Sequence, residues 1–200
     1  MQEKMKKWIS GGIVVCMVAL LAACGSSSEV QSEASQGTDA SQAGSTPSSV
    51  STPQADPSSC SITFQVPEGF EEMDASQYGV SEMYQTDDGS NINVVIVENV
   101  EGSIDYVTQD VMVSSLEQGF EEQTGTAITL NDVEFTKYEI GPCPAYRMSY
   151  NVELNGVTMT QTMIGVSADM AYTITFTDMT NGTWAEVFAQ AADSITAVEA

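Results

Sequence analysis

The sequence predicts an α+β domain: an antiparallel sheet of about six or seven strands with helices packed on it. Three observations predict it. Short segments with period-two apolar alternation follow one another across tight turn signals, as antiparallel pairing requires. Two segments, opening near Ser103 and Thr183, repeat apolar residues along one helical stripe and must therefore pack on something. Finally, the composition changes abruptly at Cys60, and the roughly 140 residues beyond it suffice for one ordinary core.

The elements follow in order. Ile62, Phe64 and Val66 alternate with polar residues as a strand does, and Pro67-Glu68-Gly69 ends it. Val80 to Gln85 and Ile92 to Glu98 form a hairpin across Asp87-Asp88-Gly89-Ser90-Asn91. Ser103 is the expected cap of a helix with Asp105 in its first turn, where the macrodipole favours an anion. Ile104, Val107, Val111, Met112, Leu116 and Phe120 make its apolar stripe, and Gly125 stops it. Two short strands, Ala127 to Leu130 and Val133 to Ile140, are expected to turn at Asn131-Asp132.

Tyr146, Met148, Tyr150, Val152 and Leu154 form the longest strict alternation in the chain. Asn155-Gly156, a favoured type I′ pair, returns the chain through Val157 to Val166. A last strand shows Tyr172, Ile174 and Phe176 on one face and Thr173, Thr175 and Thr177 on the other, a face that light cover or water would suit. Thr183-Trp184-Ala185-Glu186 reads as a capping box, opening a helix with Trp184, Val187, Phe188, Ala191, Ala192 and Ile195 on one side. Its small alanines let the helix approach the sheet closely.

Ahead of this domain, residues 1–23 read as a secretory leader. Lys4, Lys6 and Lys7 precede an apolar run from Trp8 to Ala23. At about 1.5 Å per residue that run spans about 24 Å, short of the roughly 20 residues a permanent membrane helix needs. It ends in Leu21-Ala22-Ala23-Cys24-Gly25, which resembles the lipobox of bacterial lipoproteins. The resemblance implies cleavage before Cys24 and acylation of its thiol. Two acyl chains suffice for stable anchoring at a membrane surface. Residues 24–59 are then the lipidated cysteine and a Ser/Gln/Ala/Gly-rich tether that cannot bury enough apolar surface to order itself. As a flexible coil it reaches about 30–35 Å in the root-mean-square sense.

Charge narrows the partners. The whole chain carries −23. Lys4, Lys6, Lys7 and Glu3 leave with the leader, so 27 acidic residues then face only Lys137 and Arg147, a net −25. Nucleic acid is excluded as a partner, because phosphate binding depends on Lys and Arg. Anionic headgroups repel this surface, so acylated Cys24 must hold the protein to the bacterial cell membrane. The remaining partners are cations, basic proteins or cell-wall components; self-repulsion for solubility is the plainer use of the charge. Histidine is absent, which removes the commonest general base and metal ligand. Catalytic residues and cofactors are expected to be none.

Cys60 and Cys143 remain once Cys16 and Cys24 are accounted for. Outside the cytoplasm they can oxidise, closing a loop of about 80 residues worth roughly 4 kcal/mol on the chain-entropy model. Two separate thiols are the alternative. Asp87, Asp88 and Asn91 place oxygen ligands on one loop as a hard cation would want, although the same residues suit a hairpin turn conformationally. Glu71-Glu72 and Glu121-Glu122 read as solvated carboxylates rather than an acid–base pair. Arg147 reads as half of a structural ion pair with a nearby Glu, with an anion or carboxylate anchor as the sharper reading. Met112, Met148, Met159, Met163 and Met170 read as core filling rather than copper ligands.

The opening Ile62-Thr63-Phe64-Gln65-Val66-Pro67-Glu68-Gly69-Phe70, then hairpin, helix, long meander and the Trp184-to-Ile195 helix, is similar to the PsbP/Mog1-like family, small bacterial lipoproteins included. The resemblance covers residues 60–198. It implies an αβα sandwich acting as a binding or assembly accessory. Members bind partners as different as a photosystem and a small GTPase, and no shared catalytic residues are implied. The functional expectation is a membrane-anchored, non-catalytic binding or assembly accessory. A cation-binding surface protein and a carboxylate-only hydrolase are the alternatives, told apart by millimolar calcium binding and by two carboxyls facing one pocket.

Overall fold

Seven strands hydrogen-bond into one antiparallel sheet in the computed structural model, which describes residues 56–154 and 156–199. The leader, Cys24, the tether up to residue 55 and Asn155 lie outside the described residues. The main-sheet strands are β2 (Glu71–Glu72), β3 (Glu82–Gln85), β4 (Asn91–Glu98), β5 (Asn131–Ile140), β6 (Cys143–Leu154), β7 (Val157–Ser167) and β8 (Met170–Asp178). Their order across the sheet is β2-β3-β4-β8-β7-β6-β5. Helix α1 (Gln109–Thr124) crosses from β4 to β5, and α2 (Ala185–Asp193) follows β8. A separate two-stranded ribbon joins the two ends of the domain, β1 (Cys60–Thr63) against β9 (Thr196–Glu199).

Side-chain alternation divides the core between the two faces of the sheet. Ile92, Val94, Ala145, Ile164, Val166, Ile174 and Phe176 point to the side that receives Phe188, Ala191 and Ala192 of α2. Met148, Tyr150, Val152, Met159 and Met163 point to the other side, where α1 seats Met112, Leu116 and Phe120. The result is the helix–sheet–helix sandwich expected from the sequence. Four of the five methionines are buried and Met170 is partly so, all in the two cores.

Several local expectations change. The first strand begins at Cys60 and ends at Thr63, and it pairs with β9, which alternation did not reveal. Phe64 leaves the ribbon and packs edge-on to Tyr84 and Phe176, both at 6.3 Å. Phe70, past the Pro67-Glu68-Gly69 bend, lies 4.9 Å from Trp184 and 5.5 Å from Phe188. The family-like opening phrase therefore clamps α2 to the sheet.

Ser103 starts only a 3-10 turn (Ser103–Tyr106), and α1 begins later, capped by Thr108, whose Oγ1 accepts from the Val111 N–H at 3.4 Å. Left-handed Gly102 and extended Val107 bracket that turn and stop it from continuing as helix. Gly125 ends α1 with φ 69°, as read.

Ala127 to Leu130 forms no strand, and Asn131-Asp132 is no turn. Both residues belong to β5, where the pairing register shifts between Asn131 and Glu134, and Asp132 takes φ 52°. An Asp tolerates the left-handed region in a bulge as in a turn, so the same residue signals both. The threonine face of β8 is covered: Thr173, Thr175 and Thr177 are all buried beneath the α1 side. There Tyr150 donates to Gln161 at 2.6 Å, and Gln161 donates to Thr177 at 2.8 Å.

Candidate functional site

The sheet ends in two unlike edge strands, the two-residue β2 and the much longer β5. Among the described residues, β5 is a ten-residue strand hydrogen-bonded on one side only, to β6. On the α2 face of the sheet, the helix and the β1–β9 ribbon stop short of this edge. A groove of about 690 Å³ is left between them, with Thr136, Tyr138 and Arg147 as its floor. Glu139 forms its rim, and Asp193, at the end of α2, its wall.

The electrostatics of this groove are mixed but mainly negative. Arg147 Nη1 stands 3.8 Å from Asp193 Oδ1, with side chains 37% and 79% exposed. A pair this open contributes about 0–1 kcal/mol, so it does not lock either group. The partner is an Asp at a helix end rather than a nearby Glu. Burial raises the Tyr138 phenol above its ordinary pKa; Arg147 pulls it back and Asp193 pushes it up again, so the three groups sense one another. The carbonyl end of α2 adds partial negative charge to the same wall. Lys137 is turned elsewhere, donating to the Asp105 carbonyl at 2.9 Å.

The hairpin loop between β3 and β4 uses its oxygens internally. Asp88 Oδ1 accepts from Thr86 Oγ1 at 2.7 Å and from the Ser90 N–H at 2.8 Å. Asp88 Oδ2 accepts from the Trp184 indole at 2.8 Å, and Asn91 Nδ2 donates to the Gly89 carbonyl at 3.2 Å. Asp87 is exposed. Among the described residues no group of three or more acidic, Cys or His side chains converges as metal ligands would.

The loop's carboxylate has a measurable consequence. Burial raises the Asp88 pKa, but the bonds from Thr86, Trp184 and Ser90 outweigh it and hold the group at about 2, against an ordinary 3.8. A folded pKa below the unfolded one gives stability that is complete above about pH 4 and is lost as the pH falls through 2. Asp88→Asn should therefore lower the unfolding temperature above pH 4, and the gap to the parent should close between pH 4 and pH 2. A gap that stays constant over that window would contradict this account.

Cys60 and Cys143 come together. Both are buried in the α2-side core, and each belongs to a different layer, ribbon and sheet. Both are free thiols in this structure, and Cys60 adds to the burial that pushes the Cys143 thiol up. Glu71, Glu72, Glu121 and Glu122 are all exposed.

Two features were not visible as patterns. Asp178 is buried at the end of β8 and caps the next loop, accepting from the Thr180 N–H and hydroxyl at 2.7 and 2.6 Å and from the Gly182 and Trp184 N–H groups at 3.1 Å each. The expected capping box does not form, because α2 starts at Ala185 with Trp184 as its cap and no side-chain bond there. Gly165 is the second: the Tyr146 ring lies across it on the neighbouring strand, where a side chain would stand.

The helix–sheet–helix sandwich is a PsbP-like fold. Among solved structures, the chain is similar to cyanobacterial PsbP (CyanoP) from Synechocystis, with a TM-score of 0.54 and 14% identity over 70% of this chain and 94% of that one. This likeness establishes the fold alone. More distant matches are LpqN of Mycobacterium tuberculosis, involved in cell envelope biogenesis (TM-score 0.39, 12% identity, 72% and 86% covered), and a Pseudomonas aeruginosa protein described as a putative regulator (TM-score 0.37, 15% identity, 68% and 81% covered). No protein family and no curated protein sequence matches the chain.

Proposed function

We propose that this protein is a membrane-anchored, extracytoplasmic binding or assembly accessory whose sandwich domain receives a basic segment of a partner protein at the β5 edge and its adjoining groove. One observation carries the reading: the open edge and the groove are continuous, since Thr136, Tyr138 and Glu139 belong to both. An extended segment added to β5 would satisfy the strand's outward backbone groups, while its side chains enter the groove. Charges and a bulge on β5 also guard it against indiscriminate pairing. A second copy of this chain is a poor occupant, because 24 acidic and 2 basic residues from 56 onward would meet their like.

The anchor follows from the leader, the lipobox-like Leu21-to-Gly25 and the tether. Acylated Cys24 holds the chain at the membrane, and the tether lets the domain search a shell about 30 Å deep. No catalytic step is assigned. Charge reversal tests the groove: Glu139→Lys with Asp193→Lys should weaken partner recovery from isolated membranes by about ten-fold, and raised salt should mimic it. Recovery indifferent to both changes would sink the groove reading.

A further inference from the structure

We infer that Cys60 and Cys143 form an intramolecular disulfide that staples the point where the tether enters the domain to the main sheet. The two residues are distant in sequence, yet they share one core cluster and are 2% and 0% exposed. Their meeting is built by the packing of the ribbon on the sheet. β9, paired residue by residue with β1, lies against the turn that leads from β5 into Cys143, and a Cβ on Gly141 of that turn would stand 3.3 Å from the Ala197 Cβ. Ala197 in turn pairs with Ile62, two residues from Cys60. The ribbon thus brings Cys60 into the same buried cluster as Cys143, the first residue of β6, where both stand as free thiols.

Without the bond, the N-terminal end of the domain is held through the four residue pairs of β1 with β9 and the Asp169 N–H to the Cys60 carbonyl at 2.9 Å. With it, any pull arriving along the tether passes at Cys60 straight into β6, a strand paired on both sides. On the function proposed above, the docking edge β5 is the strand next to β6, so the staple keeps the adjoining groove intact while the domain is tethered.

The chemistry also fixes when the bond forms. Burial pushes the Cys143 thiol up to about 11, and the neighbouring Cys60 adds to the shift, so Cys143 holds little thiolate in the folded domain. Both sulfurs are buried, out of reach of a bulky oxidant once the core has closed, so the bond forms as the chain folds and is then shielded from reductants. With oxidised glutathione as acceptor, one cysteine thiolate attacks its sulfur and releases one glutathione thiol. The second cysteine then attacks the protein sulfur of the mixed disulfide and releases the other. Two protein thiols and one glutathione disulfide become one protein disulfide and two glutathione thiols.

The test is refolding of the full-length chain from denaturant in oxidised glutathione, followed by acid quench, alkylation in denaturant and peptide mapping. The expected product is a monomer, lighter by two hydrogens, with one cross-linked peptide joining Cys60 and Cys143. Its unfolding equilibrium constant should rise on the order of a thousand-fold on reduction, from the loop it closes. Oxidant added after reduced folding should act much more slowly. Alkylation of both cysteines after oxidative refolding, or their pairing between two chains, would overturn the inference. Export is judged separately, by whether the chain fractionates with the membrane and loses residues 1–23, so the staple and the anchor can fail independently.

Discussion

Asp178→Ala should be the most damaging single substitution in the domain, lowering stability by roughly 3–5 kcal/mol. The carboxylate is 2% exposed and gathers four donors from Thr180, Gly182 and Trp184. Bonds to a charged acceptor are worth about 1.5–3 kcal/mol each, and donors left unsatisfied out of water cost about 1–3 kcal/mol each. Alanine removes the acceptor and leaves all of these donors behind. The loop at residues 179–184 would loosen, and with it the seat of Trp184 against Phe70 and of α2 on the sheet. Denaturant unfolding of the purified domain checks this, with Asp178→Asn, which keeps the shape and one acceptor oxygen, expected to lose less. An alanine variant within about 1 kcal/mol of the parent would show that the loop holds itself.

Gly165→Ala should come next, at about 3 kcal/mol. Its backbone is ordinary strand, so conformational freedom is not the issue. The added methyl would stand 2.7 Å from the Tyr146 hydroxyl and overlap the ring itself. Tyr146 cannot easily yield, since Phe135 stacks on it at 5.8 Å and Met163 takes its hydroxyl at 3.6 Å. Overpacking of this kind forces off-rotamer side chains or backbone shifts. The steric account makes a further demand: in Tyr146→Ala the same glycine substitution should cost almost nothing, so a double-mutant cycle should show strong coupling. Additive losses would point to a backbone requirement at Gly165 instead.

How much of this was legible in the sequence follows from which interactions are local. The alternation from Tyr146 to Leu154 and the return from Val157 mark β6 and β7, because both faces of those strands repeat with period two. The stripes of α1 and α2 point to buried Leu116, Phe120, Phe188 and Ala191 for the same reason. What escaped depends on residues far apart in the chain. β9 is four residues with only one partly buried, and it exists because β1 lies beside it. The threonine face of β8 looks open because threonine is polar; it is buried on the α1 side of the sheet, where Gln161, itself held by Tyr150, donates to the Thr177 hydroxyl.

The site was less legible than the fold. Arg147 stood out as one of two cations after the leader, and its ion pair was expected, but the groove around it needs α2 to end at Asp193 beside β5. Asp178 carried no motif, since its four donors lie in a loop whose shape the carboxylate itself sets. Cys60 and Cys143 could be named as a pair by elimination; that they meet depends on the ribbon. Asp88 resembled a cation ligand for the same reason that it makes a good turn: its oxygens accept readily, and Thr86, Ser90 and Trp184 occupy them.

The most direct test of the proposed role is a crosslink from the groove itself. A photo-reactive residue replaces Tyr138 in the full-length chain, which is then irradiated on intact cells. The account predicts one recurrent crosslinked partner, attached through a Lys- or Arg-rich segment and lost when Glu139 and Asp193 are reversed to lysine. Crosslinks that are absent, or that fall on acidic or unrelated proteins regardless of those charges, would contradict it.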